Sequence, residues 1–194
     1  KLERIVLPIR ERIEQQAKGD ETSPAAAPGW GSVLERLYGF FSPLEARLSA
    51  HAHVPALKFH RRRKSPLMAQ DLFDLSGGTF DLAVLPVADA VPDVTQLPQA
   101  LGALYVLAEL TTSTARTNLL SIKPRDLESD GLAYELDQLI MGCASPTADS
   151  MMLQTASATQ HAFNGWMSKP APRAIPAAPR VNPYQGFPRI AGYA

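Results

Sequence analysis

Four histidines, one cysteine, a cluster of arginines and a block of hydroxyl side chains are the residues whose types and spacing could do chemistry in this 194-residue chain. His51 and His53, in "SAHAHVPAL", alternate as two imidazoles would to share a metal ion from one side of a strand; on a helix the same spacing turns them apart. They read as surface or interface histidines. His60 stands inside a basic run, a poor place for an iron ligand, and His161, beside Phe163 and Trp166, reads as a packed core or edge histidine. Cys143 is alone, so it forms no internal disulfide and matches no metal-ligand spacing, which fits a reducing compartment; its reading is a small buried hydrophobe. No Ser/His/Asp arrangement, glycine-rich phosphate loop or CxxC pair is present, and "LSGGTF" reads as a turn. Arg61, Arg62, Arg63 and Lys64 read as a solvated face, or as a patch that meets an acidic partner.

The hydroxyl block is the odder feature. In "LGALYVLAELTTSTARTN", Leu101, Leu104, Tyr105 and Ala108 have the spacing of a buried helical stripe, and Thr111, Thr112, Ser113 and Thr114 follow directly. Hydroxyl side chains compete with the backbone for hydrogen bonds and lower helix propensity, so packing alone does not call for four in succession.

The elements that must position these residues read as helices. Leu2, Ile5, Ile9 and Ile13 form one apolar stripe, with Pro8 either kinking that helix or opening it. "ETSPAAAPGWG" is a linker by composition. Leu34, Leu37, Phe41, Leu44 and Leu48 resume the helical period, with Ser32 as the expected cap and Pro43 as the expected bend. A short apolar helix follows the basic run and ends at Gly77 and Gly78; proline-broken segments then run from Ala83 to Gln96, and Pro98 opens the next helix. "LAYELDQLIMG" and the stripe Met152, Thr155, Thr159, Phe163 and Trp166 give two more. β-branched residues are scattered without strand alternation, so the fold class is all-α, with a helical domain over 1–169 and a Pro-rich extended tail over 170–194.

That tail holds six of the 17 prolines, interleaved with arginines and aromatics, and cannot form a helix. Such a tail either wraps its own domain or docks on other protein chains, and docking is the expected role because a Pro-rich backbone loses less entropy on binding. The expected anchors are Tyr184, Phe187 and Tyr193, with Arg180 and Arg189 making polar contacts. The formal net charge is zero, so nothing global draws the chain to nucleic acid or to an anionic membrane. No apolar run reaches the ~18 residues of a membrane span and no apolar leader opens the sequence, so the expectation is a soluble, cytoplasmic protein.

Three stretches in order, "VLERLYGFFSPLEARL", "RRRKSPLMAQDL" and "LGALYVL", resemble the second helix, a connecting segment and the distal helix of bacterial heme oxygenases, particularly those associated with bacteriophytochromes. The resemblance spans about residues 5–167 and implies a heme-oxygenase-like all-α domain that clamps heme between a proximal helix bearing an axial histidine and a distal helix whose glycines approach the porphyrin. In "IRERIEQ", Glu11, Arg12, Ile13 and Glu14 match the family's proximal helix, and Arg10 stands where the ligand histidine belongs. A guanidinium has no lone pair for iron. On the distal side, the family's Glu-Gly-Ser-Thr-Leu-Gly-Gly falls on residues 108–114, where only Thr111 matches and Glu109, Ser113 and Thr114 replace the glycines. The resemblance therefore implies a vestigial heme pocket made of Arg10, Glu109, Thr111, Ser113 and Thr114, with Arg10 paired to Glu109 or to capping carbonyls. The expected protein is a non-catalytic structural or interaction subunit of a larger assembly, without cofactor. The alternatives are a biliverdin-producing heme oxygenase with an atypical ligand set, or a heme or tetrapyrrole binder.

Overall fold

The computed structural model describes residues 30–116, 129–143 and 145–169, and among these every regular element is a helix. The α-helices are α1 (Trp30–Leu48), α2 (Phe59–Arg62), α3 (Ser65–Leu75), α4 (Leu97–Arg116), α5 (Ser129–Gly142) and α6 (Pro146–Ser168). Single 3₁₀ turns occupy Ser49–His51, Pro55–Leu57 and Leu82–Val84. No described helix is long and apolar enough to cross a membrane. The helix expected around Leu2–Ile13, with Arg10, lies outside the described residues, as do the tail residues Arg180, Tyr184, Phe187, Arg189 and Tyr193.

α4 is the central helix. Ala100, Leu101, Ala103, Leu104, Val106, Leu107 and Leu110 are all buried, so it is covered on more than the single face its sequence stripe announces. It lies mainly against α6, and Gly102 makes that approach possible: a Cβ at this position would stand 2.3 Å from the carbonyl oxygen of Met152. The expected α6 stripe is on the core side throughout, with Met152, Thr155, Thr159, Phe163 and Trp166 buried. α1 contributes Leu34, Leu37, Phe41, Leu44 and Leu48, also as expected, together with Phe40. The Phe40 ring meets Phe163 edge to face at 5.1 Å between centroids.

Pro43 lies inside α1 and has no N–H to give the carbonyl of Gly39. That carbonyl instead accepts from the backbone N–H of Ala88, at 2.8 Å, on the irregular segment between the 3₁₀ turn and α4. Gly39 is also where that segment comes closest, since a Cβ there would meet the Pro86 oxygen at 2.5 Å and the Trp166 ring at 2.8 Å. The proline and glycine together turn a gap in one helix into an anchor for a connection. Ser32, expected as a cap, lies inside the first turn because α1 already begins at Trp30.

Two charged side chains fasten helix ends. Glu45, 2% exposed, accepts from the backbone N–H of Lys64 (2.7 Å), from the N–H of Ser65 (3.3 Å to each oxygen) and from the Ser65 hydroxyl (2.6 Å). It thereby caps the N-terminus of α3 from a different helix, where the free N–H groups and the helix dipole favour a carboxylate. At the C-terminus of α6, the Arg36 guanidinium donates to the carbonyls of Met167 (2.8 Å) and Lys169, while the Trp166 indole N–H donates to the Arg36 carbonyl at 2.8 Å.

Candidate functional site

The expected site residues fall into three groups. Thr111 is half-buried on α4 and its hydroxyl donates to the Leu107 carbonyl at 2.8 Å, the back-bond to residue i−4 that lets a threonine remain in a helix. Glu109 is half-buried on the same helix. Ser113 and Thr114 continue α4 in their backbone, while their side chains lie outside the described part, as does all of Arg10. α4 runs unbroken from Leu97 to Arg116, across the hydroxyl block.

The histidines are corrected in two places. His51, expected at a surface or interface, is buried, and its Nε2 is 3.0 Å from the carbonyl of Val94. The partner is a carbonyl, so Nε2 carries the hydrogen and donates. The segment before α4 covers this ring, which nothing local in the sequence signals. His161, expected in the core or at its edge, is exposed on α6 and its Nδ1 is 2.9 Å from the Ser157 carbonyl. His53 and His60 are exposed, and Cys143 is half-buried just beyond α5. Among the described residues no group of three or more His, Cys, Asp or Glu side chains is placed to hold a metal ion.

The basic run is a solvated face only in part: Arg61 and Arg63 are exposed, while Arg62 and Lys64 are half-buried. Lys58 takes a left-handed backbone (φ 45°) that turns the chain from the 3₁₀ turn into α2, and its ammonium binds Glu135 of α5 at 2.7 Å. Arg62 is half-buried, with Nε donating to the Leu57 carbonyl (2.6 Å) and Nη1 to the Leu132 carbonyl (2.8 Å). Burial lowers the Arg62 pKa, the nearby Glu135 carboxylate acts the other way, and Arg61 adds to the lowering. A guanidinium starts so high that Arg62 remains cationic at neutral pH. The Glu135 carboxyl is held below the usual glutamate range, first by the Lys58 hydrogen bond and then by the charges of Lys58, Arg62 and Arg61, against an opposing effect of desolvation. Arg63 stands 3.6 Å from Glu45.

Beside this turn lies a cleft of about 70 Å³ between α4 and α5. Leu104, Leu107, Ala108 and Thr111 form one wall at the i, i+3, i+4, i+7 spacing of a helix face, Leu132 and Ala133 form another, and Arg62 and Lys64 close one side. The walls are apolar and the charge at the closing side is positive. Glu109 is not part of the lining. Of the expected pocket residues, Thr111 lines this cleft, whose volume is well under the ~300–1,000 Å³ typical of sites for larger ligands.

Sequence reasoning missed Glu45, Arg36, Gly39 and Gly102. Glu45 had a legible signal: a carboxylate four residues after Phe41, inside the apolar register of α1, must be either exposed or paired. In the described residues this is a helical protein with an apolar core, a cationic turn and a small cleft beside it. Compared with known proteins, the chain matches no family model, no curated protein and no solved structure.

Proposed function

We propose that the chain is a non-catalytic, heme-oxygenase-like protein that serves as a structural or interaction subunit of a larger protein assembly. The observation that carries this reading is the uninterrupted course of α4 from Leu97 to Arg116. Where the resembling family uses glycines to bring helix backbone onto a flat ligand, this chain keeps a regular helix with Glu109 and Thr111 on it, and Thr111 is tied back to Leu107. The stripes that build the core need no catalytic residue, so a helical fold of this kind persists after its chemistry is gone. The tail, through Arg180, Tyr184, Phe187, Arg189 and Tyr193, is assigned the partner contacts.

Heme titration tests the proposal. The full chain should give no sharp Soret band with one-to-one stoichiometry and no bilin when a reductant is added. A saturable one-to-one spectrum would overturn the non-binding part of the reading, and reductant-driven biliverdin would make the chain an enzyme.

A further inference from the structure

The Pro-rich tail leaves the helical part at a fixed point. The N–H of Lys169 donates to the Trp166 carbonyl at 3.2 Å, its own carbonyl accepts from Arg36, and its ammonium lies 3.6 Å from the Asp89 carboxylate and 5.4 Å from the centre of the Trp166 ring. The tail therefore starts beside the segment 86–89, which α1 holds through the hydrogen bond from Ala88 to Gly39. Seven large hydrophobic side chains are exposed among the described residues, and five of them, Leu67, Phe73, Leu75, Val84 and Val87, fall within residues 67–87. Scattered singly, such residues need no explanation; grouped and flanked by polar residues, they mark a surface that something covers. The Phe73 ring lies against Gly78, on the turn that leads to Asp81, and Val84 and Val87, 56% and 51% exposed, carry the apolar stretch on toward the tail's exit.

Charge indicates what covers it. Residues 65–115 include no Lys, Arg or His. Asp89 and Asp93 are answered by Lys169 and Arg47. Asp74 and Asp81, both exposed, bond only to neutral groups, the Gln70 amide and the Ala83 N–H, each at 2.9 Å, and have no cation among the described residues. The tail is the reverse: residues 170–194 carry Arg173, Arg180 and Arg189 and no acid, so in this neutral chain the other 169 residues hold three more acids than bases. Reach is ample. At ≈3.1 Å per residue for an extended Pro-rich segment, Arg173 lies up to ~12 Å and Arg180 up to ~34 Å from Lys169, while the chain from Asp89 back to Asp81 spans at most ~29 Å. A short tether also holds its segment at an effective concentration in the millimolar range, so individually weak contacts suffice.

We propose that residues 170–180 dock on their own helical part, with Ile175 and the prolines around it against Val84 and Val87 and the guanidinium groups of Arg173 and Arg180 at the Asp81 and Asp74 carboxylates. The inference concerns the free chain and does not rest on the assembly reading. Tyr184, Phe187, Arg189 and Tyr193 stay beyond the docked stretch, and a partner that engages Arg180 has to displace it.

The test is a nuclear Overhauser measurement on the full chain at low salt. Contacts between the Ile175 methyls and those of Val84 and Val87 are expected, unchanged on about tenfold dilution. Arg173→Glu with Arg180→Glu should weaken them by about fivefold or more, and adding Asp74→Arg and Asp81→Arg to that variant should restore them. Raising the salt to about 1 M should reduce them in the parent, which decides the matter without any variant. Circular dichroism checks that the variants keep the parent's helix content. Absence of these contacts, contacts between chains in a mixture of labelled and unlabelled protein, indifference to salt or to the charge reversal, or failure of the swapped charges to restore docking would each overturn the proposal.

Discussion

Replacing Glu45 with alanine removes the carboxylate that caps the start of α3, and the structure allows the consequence to be estimated. The side chain is 2% exposed and accepts at 2.7 Å from the Lys64 N–H, at 2.6 Å from the Ser65 hydroxyl and at 3.3 Å from the Ser65 N–H. The first two are full charge-assisted hydrogen bonds; the third is shared between both oxygens and is weaker. Alanine strands all three donors and leaves the Arg63 guanidinium without its neighbour at 3.6 Å. Hydrogen bonds to charged groups contribute about 1.5–3 kcal/mol each net of solvation. Water entering the vacated space and rotation of the Ser65 hydroxyl recover part of this, so the expected loss is about 3 kcal/mol rather than the full sum. For a chain of this length that lowers the melting temperature by roughly 6–12 °C. Thermal melting followed at 222 nm, with urea unfolding alongside, measures it. Ser65→Ala, which removes only the hydroxyl donor, should lose about 1 kcal/mol. A Glu45→Ala protein that melts within about 2 °C of the parent would refute the assignment of this carboxylate as the cap of α3.

The same reasoning yields two further expectations. Gly102→Ala places a methyl group 2.3 Å from the Met152 carbonyl oxygen; backbone on both sides cannot yield, α4 and α6 must separate, and the urea midpoint should fall by the equivalent of about 3 kcal/mol, whereas an unchanged midpoint would contradict the close approach. The depressed Glu135 carboxyl implies stability that is present above the unfolded glutamate value of about 4.3 and is lost as pH falls through the lower folded value. Glu135→Gln should therefore be less stable than the parent at pH 7 and converge on it as pH falls below the depressed Glu135 value, and a difference that stays constant with pH would exclude an ionic contribution.

Helices are written locally, and that is why so much of the fold is legible in the chain. The stripes Leu34–Leu37–Phe41–Leu44–Leu48 and Met152–Thr155–Thr159–Phe163–Trp166 are buried as their spacing requires. α3 ends where Gly77 and Gly78 supply positive φ (66° and 84°), and the segment broken by Pro86 and Pro92 forms no α-helix. Each of these features depends on residues within a few positions of one another, so periodicity, a glycine or a proline is enough to announce it. The candidate site was less legible. Thr111 does line a cavity, yet the other face of that cavity comes from Arg62, Lys64, Leu132 and Ala133, and no local pattern links position 62 to position 132.

What remained for tertiary structure to decide is which distant group answers each unusual residue. Gly39 and Gly102 look like helix weaknesses until Pro86, Trp166 and Met152 arrive beside them. Pro43 looks like a defect until Ala88 takes the carbonyl it orphans. Arg62 looks solvated until the Leu57 and Leu132 carbonyls fix it, and His51 looks exposed until Val94 covers it. By itself the sequence determined that the described chain would be helical and which helix faces would be buried, because burying an apolar stripe depends only on its spacing. The tertiary structure alone decided where the polar groups found partners, because a hydrogen bond requires one particular atom within about 3 Å and the chain brings that atom from far along its length.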